Sequence, residues 1–479
     1  MSTFSGLSTA LSSLTAQRQA LDVTGQNIAN ANTVGYTRQR VDMQSINATT
    51  VASMFSTPMG SGEGVNVVDI ARLGDQFLDA RLRTQTSLSS YHNSTATTLD
   101  RLESVVNEPG GTGLSTGLQQ FWAAWEDVAN SPEAPATRTA LLGKAGAVVN
   151  QISDTYRSFE SQWEQARTEA DAMVSQVNSA ARAVADLNQQ IRGVLVSGGS
   201  ANELMDKRSE LITQLSSLVG ATSRPQEDGT VSVLVAGNPL VSGDRINEIT
   251  VQGSYVMTGA LAEPPSATDT VRLSWASNGT ALVLDGGALA GTMTSLQPSS
   301  LGGPIALAVK AINDLATQVA TAVNTVHTTG TTLAAPPADT GVAFFSFTAG
   351  MPPATGLKVA ITDPTMVAAG NGTSGAWDGS IADQISQLHE GVGSPDQSWR
   401  SFIVDLGVTS EAAQRRAAVS EVTRATAENL QRSNASVDLD EEMTNILAYQ
   451  RAYQGAARVL TAVDEMLDTL INRTGLVGR

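Results

Sequence analysis

Tyr156-Arg-Ser-Phe-Glu-Ser-Gln-Trp-Glu-Gln-Ala-Arg-Thr-Glu-Ala-Asp-Ala-Met173 lies at the centre of the longest apolar pattern in the chain. Val149, Ile152, Tyr156, Phe159, Trp163, Ala166, Ala170, Met173, Val177, Ala180, Val184, Leu187, Ile191 and Val194 follow one another at spacings of three and four. That spacing keeps one stripe of a 3.6-residue helix apolar. The expected helix is about 70 Å long at ~1.5 Å per residue, a rod that a globular enzyme rarely needs. Gly198-Gly199 ends it. A second helix is expected from near Ala201 to near Gly220, and Leu88, Tyr91, Leu99, Leu102 and Val105 suggest another of the same bundle, closed by Glu108-Pro-Gly-Gly.

Downstream of Ala221 the pattern changes to strand and turn. Asp228-Gly229 precedes the alternating Thr230-Val-Ser-Val-Leu-Val235, and Asn238-Pro239 and Ser242-Gly243 punctuate the residues after it. Val271-Arg-Leu-Ser-Trp275, Asn278-Gly279 and Ala281-Leu-Val-Leu284 read as a hairpin. Helical periodicity returns at Ile305–Val326 and again from Trp399, with one strand expected at Leu357–Ile361. The expected fold is mainly α with a β-rich insertion: N- and C-terminal segments form a long helical coiled-coil rod from which a β domain protrudes. Residues 1–35 and 438–479 are read as terminal coiled-coil assembly helices. Residues 36–220, 301–330 and 396–437 form the helical rod, 221–300 the β-rich outer domain, and 331–395 a mixed segment.

Both extremes carry apolar seams. Leu7, Leu14, Leu21 and Ile28 recur every seven residues, with Leu11 on the same face. Near the other end Ile446, Tyr453, Leu460 and Leu467 repeat at seven, and Tyr449, Ala456, Val463 and Leu470 follow each by three. That is an a/d seam over four heptads. Asp438 before Glu441 and Glu442 reads as an N-cap with an acidic first turn, and Arg473 then Gly475 as a helix stop. Chain ends are usually frayed, so seams there want partners.

Composition narrows the function. With 29 basic and 46 acidic side chains the formal charge is −17, against nucleic acid or anionic lipid as the main partner. Cysteine is absent, which removes disulfides, thiolate metal sites and cysteine nucleophiles. No apolar run approaches the ~18 residues of a membrane span. The first basic residue is Arg18, so Met1-Ser-Thr-Phe-Ser-Gly-Leu is not a Sec-type signal, and the expectation is a cytoplasmic protein or one exported by another route.

No catalytic constellation emerges. His92, His327 and His389 are scattered and lack partners at metal-ligand spacing. Gly113-Leu-Ser115-Thr-Gly117 matches a nucleophile elbow in letters, but a glycine-rich loop and not a strand leads into it. Gly370-Asn-Gly372-Thr-Ser-Gly375 lacks the flanking strand and helix of a dinucleotide site. Glu441/Glu442 has a capping explanation. No enzyme activity, cofactor or metal is expected.

Asn27-Ile-Ala-Asn30-Ala-Asn32-Thr-Val-Gly35-Tyr36-Thr-Arg38-Gln39 resembles the N-terminal signature of bacterial flagellar axial proteins. Leu439-Asp-Glu-Glu-Met-Thr-Asn-Ile-Leu-Ala-Tyr-Gln-Arg-Ala-Tyr-Gln-Gly-Ala-Ala-Arg-Val-Leu460 resembles the other end of the same group. Glu203-Leu-Met-Asp-Lys-Arg-Ser-Glu-Leu-Ile212, Asp228–Val235, Pro239-Leu-Val241 and Ala322–His327 are similar to the hook-associated protein 1 family, which forms the hook–filament junction. The alternative is another axial protein, a second junction protein or flagellin-like filament subunit, but these lack the Glu203–Val241 pattern. The resemblance implies export through the flagellar type III apparatus and terminal helices that nest into a tube on assembly. It further implies self-association in a ring, bonding to hook protein and second junction protein, and a dedicated cytoplasmic chaperone on the C-terminal helix. The place of action is then the extracellular flagellum.

Overall fold

The computed structural model describes residues 3–46, 62–108, 110–333 and 339–472. Its first elements are α1 (Thr3–Ala29), β1 (Gln39–Ile46), β2 (Gly64–Arg72), α2 (Gln76–Val106), α3 (Leu114–Asn130), α4 (Pro135–Val196) and α5 (Asn202–Val219). Seven short strands come next: β3 (Thr222–Pro225), β4 (Val231–Val235), β5 (Asn238–Ser242), β6 (Arg245–Ile246), β7 (Ile249–Gln252), β8 (Arg272–Trp275) and β9 (Ala281–Leu282). The one-turn α6 (Met257–Ala260) lies between β7 and β8, and α7 (Ala288–Ser295) comes after β9. The chain closes with α8 (Pro304–His327), β10 (Phe345–Phe347), α9 (Pro353–Gly356), β11 (Leu357–Val359), α10 (Ser380–Ser386), α11 (Pro395–Ala435) and α12 (Leu439–Asn472).

The rod helix is longer than its apolar stripe suggested. It starts at Pro135, where the fixed proline φ suits a first helical position, and runs 62 residues. That is about 93 Å at ~1.5 Å per residue. Ile152, Phe159, Trp163, Ala170, Val177, Val184 and Ile191 are all fully buried. α3 packs on its first half and α5 on its end. Gly220 stops α5 in the left-handed region at φ 67°, at the boundary expected from the sequence.

The β-rich insertion is laid along the second half of α4, and its strands share the rod's core. Val233, Val235, Leu240, Val241, Ile249 and Leu273 join the same apolar cluster as α4. Four strands order as β3-β4-β5-β6 and three as β7-β8-β9, each an antiparallel meander, with the expected hairpin at β8–β9. Two asparagines of α4 fasten these sheets. The Asn178 amide donates to Ile249 O at 2.9 Å and its carbonyl accepts from Ile249 N at 3.0 Å. Asn188 makes the same pair with Val231, at 2.9 and 3.1 Å. Each side-chain amide stands where a neighbouring strand's peptide would, so a helix satisfies a sheet's backbone groups.

The device recurs at α8. Asn324 Oδ1 accepts from Phe344 N and Phe345 N at 2.9 Å, and its amide donates to Phe345 O at 2.9 Å. This anchors the mixed segment, where the strand expected at Leu357–Ile361 is β11, ending at Val359 and paired with β10. His327 is buried beside it, with Nδ1 2.7 Å from Val342 O and Nε2 accepting from Ala368 N at 2.8 Å. It is a structural histidine. Among the described residues no group is placed to hold a metal ion, and no helix is long and apolar enough to cross a membrane.

Within the stretch expected to belong to the helical rod, Gln39–Ile46 and Gly64–Arg72 instead form an antiparallel ribbon. β1 pairs β2 from Gln39↔Arg72 to Ile46↔Gly64, with a bulge at Asp42/Met43. The period-two alternation of Val41 and Met43 with Arg40, Asp42 and Gln44 explains it. The ribbon builds a second, separate core in which Ala20, Val23 and Val41 meet Met43, Val67, Ile70 and Tyr449.

Candidate functional site: the paired termini and their polar clamp

α1 and α12 lie antiparallel. Asn27 reaches Glu442 near one end, and a Cβ on Gly6 would stand 3.8 Å from Val463 near the other. The overlap of 21 residues on each helix spans about 30 Å. Asp438 caps α12, its Oδ1 accepting from Asp440 N at 2.9 Å and Glu441 N at 3.2 Å. The helix stop expected at Arg473 and Gly475 lies outside the described residues.

The helix contact is made of small side chains. On α1 the buried face is Ala10, Ala16, Ala20, Val23 and Asn27, while Leu7, Leu14, Leu21 and Ile28 are half-covered at its margins and Leu11 is 58% exposed. On α12 Ala456 and Val463 are buried, Ile446, Tyr449, Leu460 and Leu467 are half-buried, and Tyr453 is 39% exposed. The Leu470 side chain lies outside the described residues. A heptad reading follows the large apolar residues, but alanine lets two helices approach closely and leaves the larger ones outward. Further apolar residues of α12 stay open on two flanks of that contact: Leu439, Met443 and Leu447 on one and Val459 and Met466 on the other are all exposed, Leu447 at 59%.

The signature residues converge where α1 ends and α12 begins. Asn27 repeats the amide device, accepting from Gln39 N at 3.0 Å and donating to Gln39 O at 2.8 Å. Its amide also donates to Glu442 Oε2 at 3.1 Å, and its carbonyl accepts from Tyr36 Oη at 2.9 Å. Arg38 bridges to the C-terminal helix, 2.7 Å from Glu442 Oε1 and 2.6 Å from Glu441 Oε2. Glu441 and Glu442 therefore serve as partners of Arg38, and capping falls to Asp438 alone. Gly35 turns the chain at φ 79°, where a side chain would be strained. Asn30 stays local, its amide donating to Gln26 O at 3.0 Å, and Asn32 is exposed.

A third strand of chain enters from α5. Asn202 donates to Gln39 Oε1 at 3.1 Å and to Ile70 O at 2.7 Å. Asp206 accepts from Thr37 N at 3.1 Å and pairs with Arg72 at 2.6 Å. Asn202, Asp206, Arg72 and Glu442 do not stand out as a group in the sequence. The i, i+4 spacing of Asn202 and Asp206 on one helical face was the available signal.

Burial pushes the Tyr36 phenol up to about 12, with Glu203, Asp206 and Glu442 adding to it. Burial also raises the Asp206 carboxyl, against the pull of Arg72 and Thr37. For Arg38 burial works downward, and Glu441 and Glu442 overcome it to hold the guanidinium above its ordinary value. Asn27, Arg38, Asn202 and Asp206 thus hold three distant segments of the chain together.

Residues 7–37 match the family described as flagella basal body rod protein, and residues 420–473 the flagellar basal body rod FlgEFG protein C-terminal. Paired ends of this kind define a flagellar axial protein, a structural component of the extracellular flagellum. Residues 99–345 match the flagellar hook-associated protein FlgK helical domain. The chain is 30% identical to flagellar hook-associated protein 1 of Bacillus subtilis (strain 168), with 100% of both chains covered. It is also 30% identical to that of Escherichia coli (strain K12), over 51% of this chain and 44% of the relative. The structure of the flagellar hook junction protein FlgK from Burkholderia pseudomallei shares the fold, with a TM-score of 0.62 at 15% identity over 75% of this chain and 100% of that one. The chain belongs to the flagellar hook-associated protein 1 family.

Proposed function

We propose that this chain forms the ring that joins the flagellar hook to the filament and on which flagellin polymerises. The observation that carries the reading is the half-covered terminal pair: α1 and α12 close on each other through alanines and leave apolar side chains exposed on both flanks of α12, Leu439, Met443 and Leu447 on one and Val459 and Met466 on the other. Such exposed apolar surface costs solubility and marks interaction surfaces. Neighbouring copies, each presenting the same pair, would bury both flanks and close a tube, with hook protein on one side and a second junction protein on the other.

Before assembly the same exposed apolar side chains need cover. A dedicated export chaperone on α12 would supply it, and delivery through the type III export apparatus would follow. The main core around α4 does not depend on the terminal ribbon's small core, so the rod can fold while the ends wait for neighbours.

Immunogold labelling of isolated flagella with antibody raised to the rod segment tests the placement. The expected result is one band at the boundary of curved hook and straight filament. Label along the whole filament would favour a filament subunit, and label at the tip alone would refute a junction role.

A further inference from the structure

A cavity of about 430 Å³ lies between the start of α2, the outer face of α5 and the edge of β3–β4, away from the α1–α12 contact. Three arginines line it: Arg72, Arg83 and Arg208. In a chain with 17 more negative than positive charges, such clustering of cations needs a reason.

Their partners are mostly neutral. Arg83 donates to Ser223 Oγ and Ser209 Oγ, both at 2.7 Å, and more weakly to Thr213 Oγ1 at 3.5 Å. Arg208 Nη1 donates to Asn188 Oδ1 at 2.9 Å and Gly229 O at 2.8 Å. Among the described residues neither guanidinium makes an ion pair. The nearby carboxylates are engaged elsewhere: Asp206 with Arg72 and Thr37, Asp228 with Thr230, and Asp79 with Gln431. Only Asp79 among them faces the cavity.

A purely structural role would favour a different solution. Burying a cation without a contacting counter-ion is costly: Asp79 near Arg83 and Asp228 near Arg208 act only at a distance, and an uncharged side chain could satisfy the same serines. Burial, with Arg72 and Arg83 close by, pushes Arg208 down to about 10, and burial lowers Arg83 too. Two neutral hydroxyls complete the pattern. Ser209 and Ser223 spend their oxygen lone pairs on Arg83, so each keeps an O–H proton to donate into the cavity they line.

We propose that this cavity is an oxyanion-binding site, taking a phosphate-type dianion or a carboxylate through Arg83, Arg208, Ser209 and Ser223. The carboxylate could come from the acidic surface of a second copy of the chain; the dianion would come from solution. Phe77, 87% exposed at the rim, gives either ligand an apolar wall.

Thermal denaturation of the full chain in sodium phosphate, against sodium chloride at matched ionic strength, reads the site. The expected result is a saturable rise in Tm whose half-point moves about tenfold higher in Arg83→Gln and Arg208→Gln. The Ser209→Ala/Ser223→Ala double variant retains every charge and should move it about threefold. Circular dichroism checks that each variant folds, and the serine variant decides if an arginine variant does not. Sedimentation velocity over a range of protein concentrations separates the sources. Association that phosphate suppresses and Arg83→Gln abolishes assigns the carboxylate of a second copy; a phosphate shift with concentration-independent sedimentation assigns a free anion. No saturable shift together with no association overturns the proposal, as does a shift unchanged in every variant that folds.

Discussion

Arg38 and Glu442 stand 404 positions apart in sequence, yet the Arg38 Nε lies 2.8 Å from Glu442 Oε1, with Glu442 almost wholly buried. The pair closes a polar clamp in which the N-terminal signature, the first turn of α12 and the α5 residues Asn202 and Asp206 meet. Removing Arg38 leaves a buried carboxylate without its cation. Arg38→Ala should therefore destabilise the terminal pair by about 2–3 kcal/mol, below the ~3–5 for a fully buried pair because Arg38 is one-fifth exposed. Amide hydrogen exchange on α12 should speed about thirtyfold or more while α4 amides keep their protection. Equal loss along α4 would mean that the clamp holds the rod as well.

The clamp should also have an alkaline limit. Tyr36 has a phenol pushed up to about 12, against about 10 in an unfolded chain. Between these values the folded state keeps a proton that the unfolded state has lost, so stability falls as pH rises from 10 to 12. Ultraviolet titration should show two tyrosines, Tyr36 and Tyr156, ionising near 12, and Tyr36→Phe should remove one of the two. That variant should lose terminal protection less steeply over this window than the wild type.

Tyr453→Asp separates monomer from assembly. Tyr453 is already 39% exposed, so a carboxylate there meets water in the monomer and Tm should change by no more than about 2 °C. Once neighbours cover the position the charge has no partner and should cost several kcal/mol. Motility and affinity for an export chaperone should both fall. A sharp drop in Tm with motility intact would place Tyr453 in a monomer core and contradict the reading that neighbours complete the α12 seam.

Limited proteolysis reports how firmly the ends are held. Among the described residues the second core contains three buried apolar side chains, Ala20, Val23 and Val41, whereas α4 alone buries many more in the main core. Purified dilute protein should lose α1 and α12 first, leaving a resistant fragment that spans α2 to α11. In the same sample circular dichroism should read less helix than the full set of elements holds. Ends that resist as long as α4 would contradict this ranking.

The rod was legible because its stripe is long and made of large residues. Gly198-Gly199, Gly220 and the spacing from Ile305 onward marked boundaries that the structure keeps within a few residues. The early part of α4 is weakly marked in the sequence because Gly143 and Gly146 interrupt the buried Leu141, Ala145 and Val148, and Arg138 takes the position before them. At the termini the heptads gave the helices; on α12 the seam positions Ala456 and Val463 are buried, whereas on α1 Ala10, Ala16 and Ala20 are buried and Leu7, Leu14 and Leu21 lie at the margin, since alanine is silent in an apolar pattern. The amide latches at Asn27, Asn178, Asn188 and Asn324 could not be read locally, because each partner lies in another element. The cavity arginines were invisible for the same reason: Arg72, Arg83 and Arg208 come together only when the β3–β4 edge is laid on α5.

Electron microscopy of sheared appendages from cells whose copy lacks residues 438–479, with a flagellin blot of the culture supernatant, tests the junction role most directly. The truncation removes α12 with its exposed apolar side chains and the Arg38 partners, and leaves the α4 core intact. The expected cells build basal bodies and hooks, do not swim, and release unpolymerised flagellin into the medium. Filaments of normal length on the truncated strain would contradict the account.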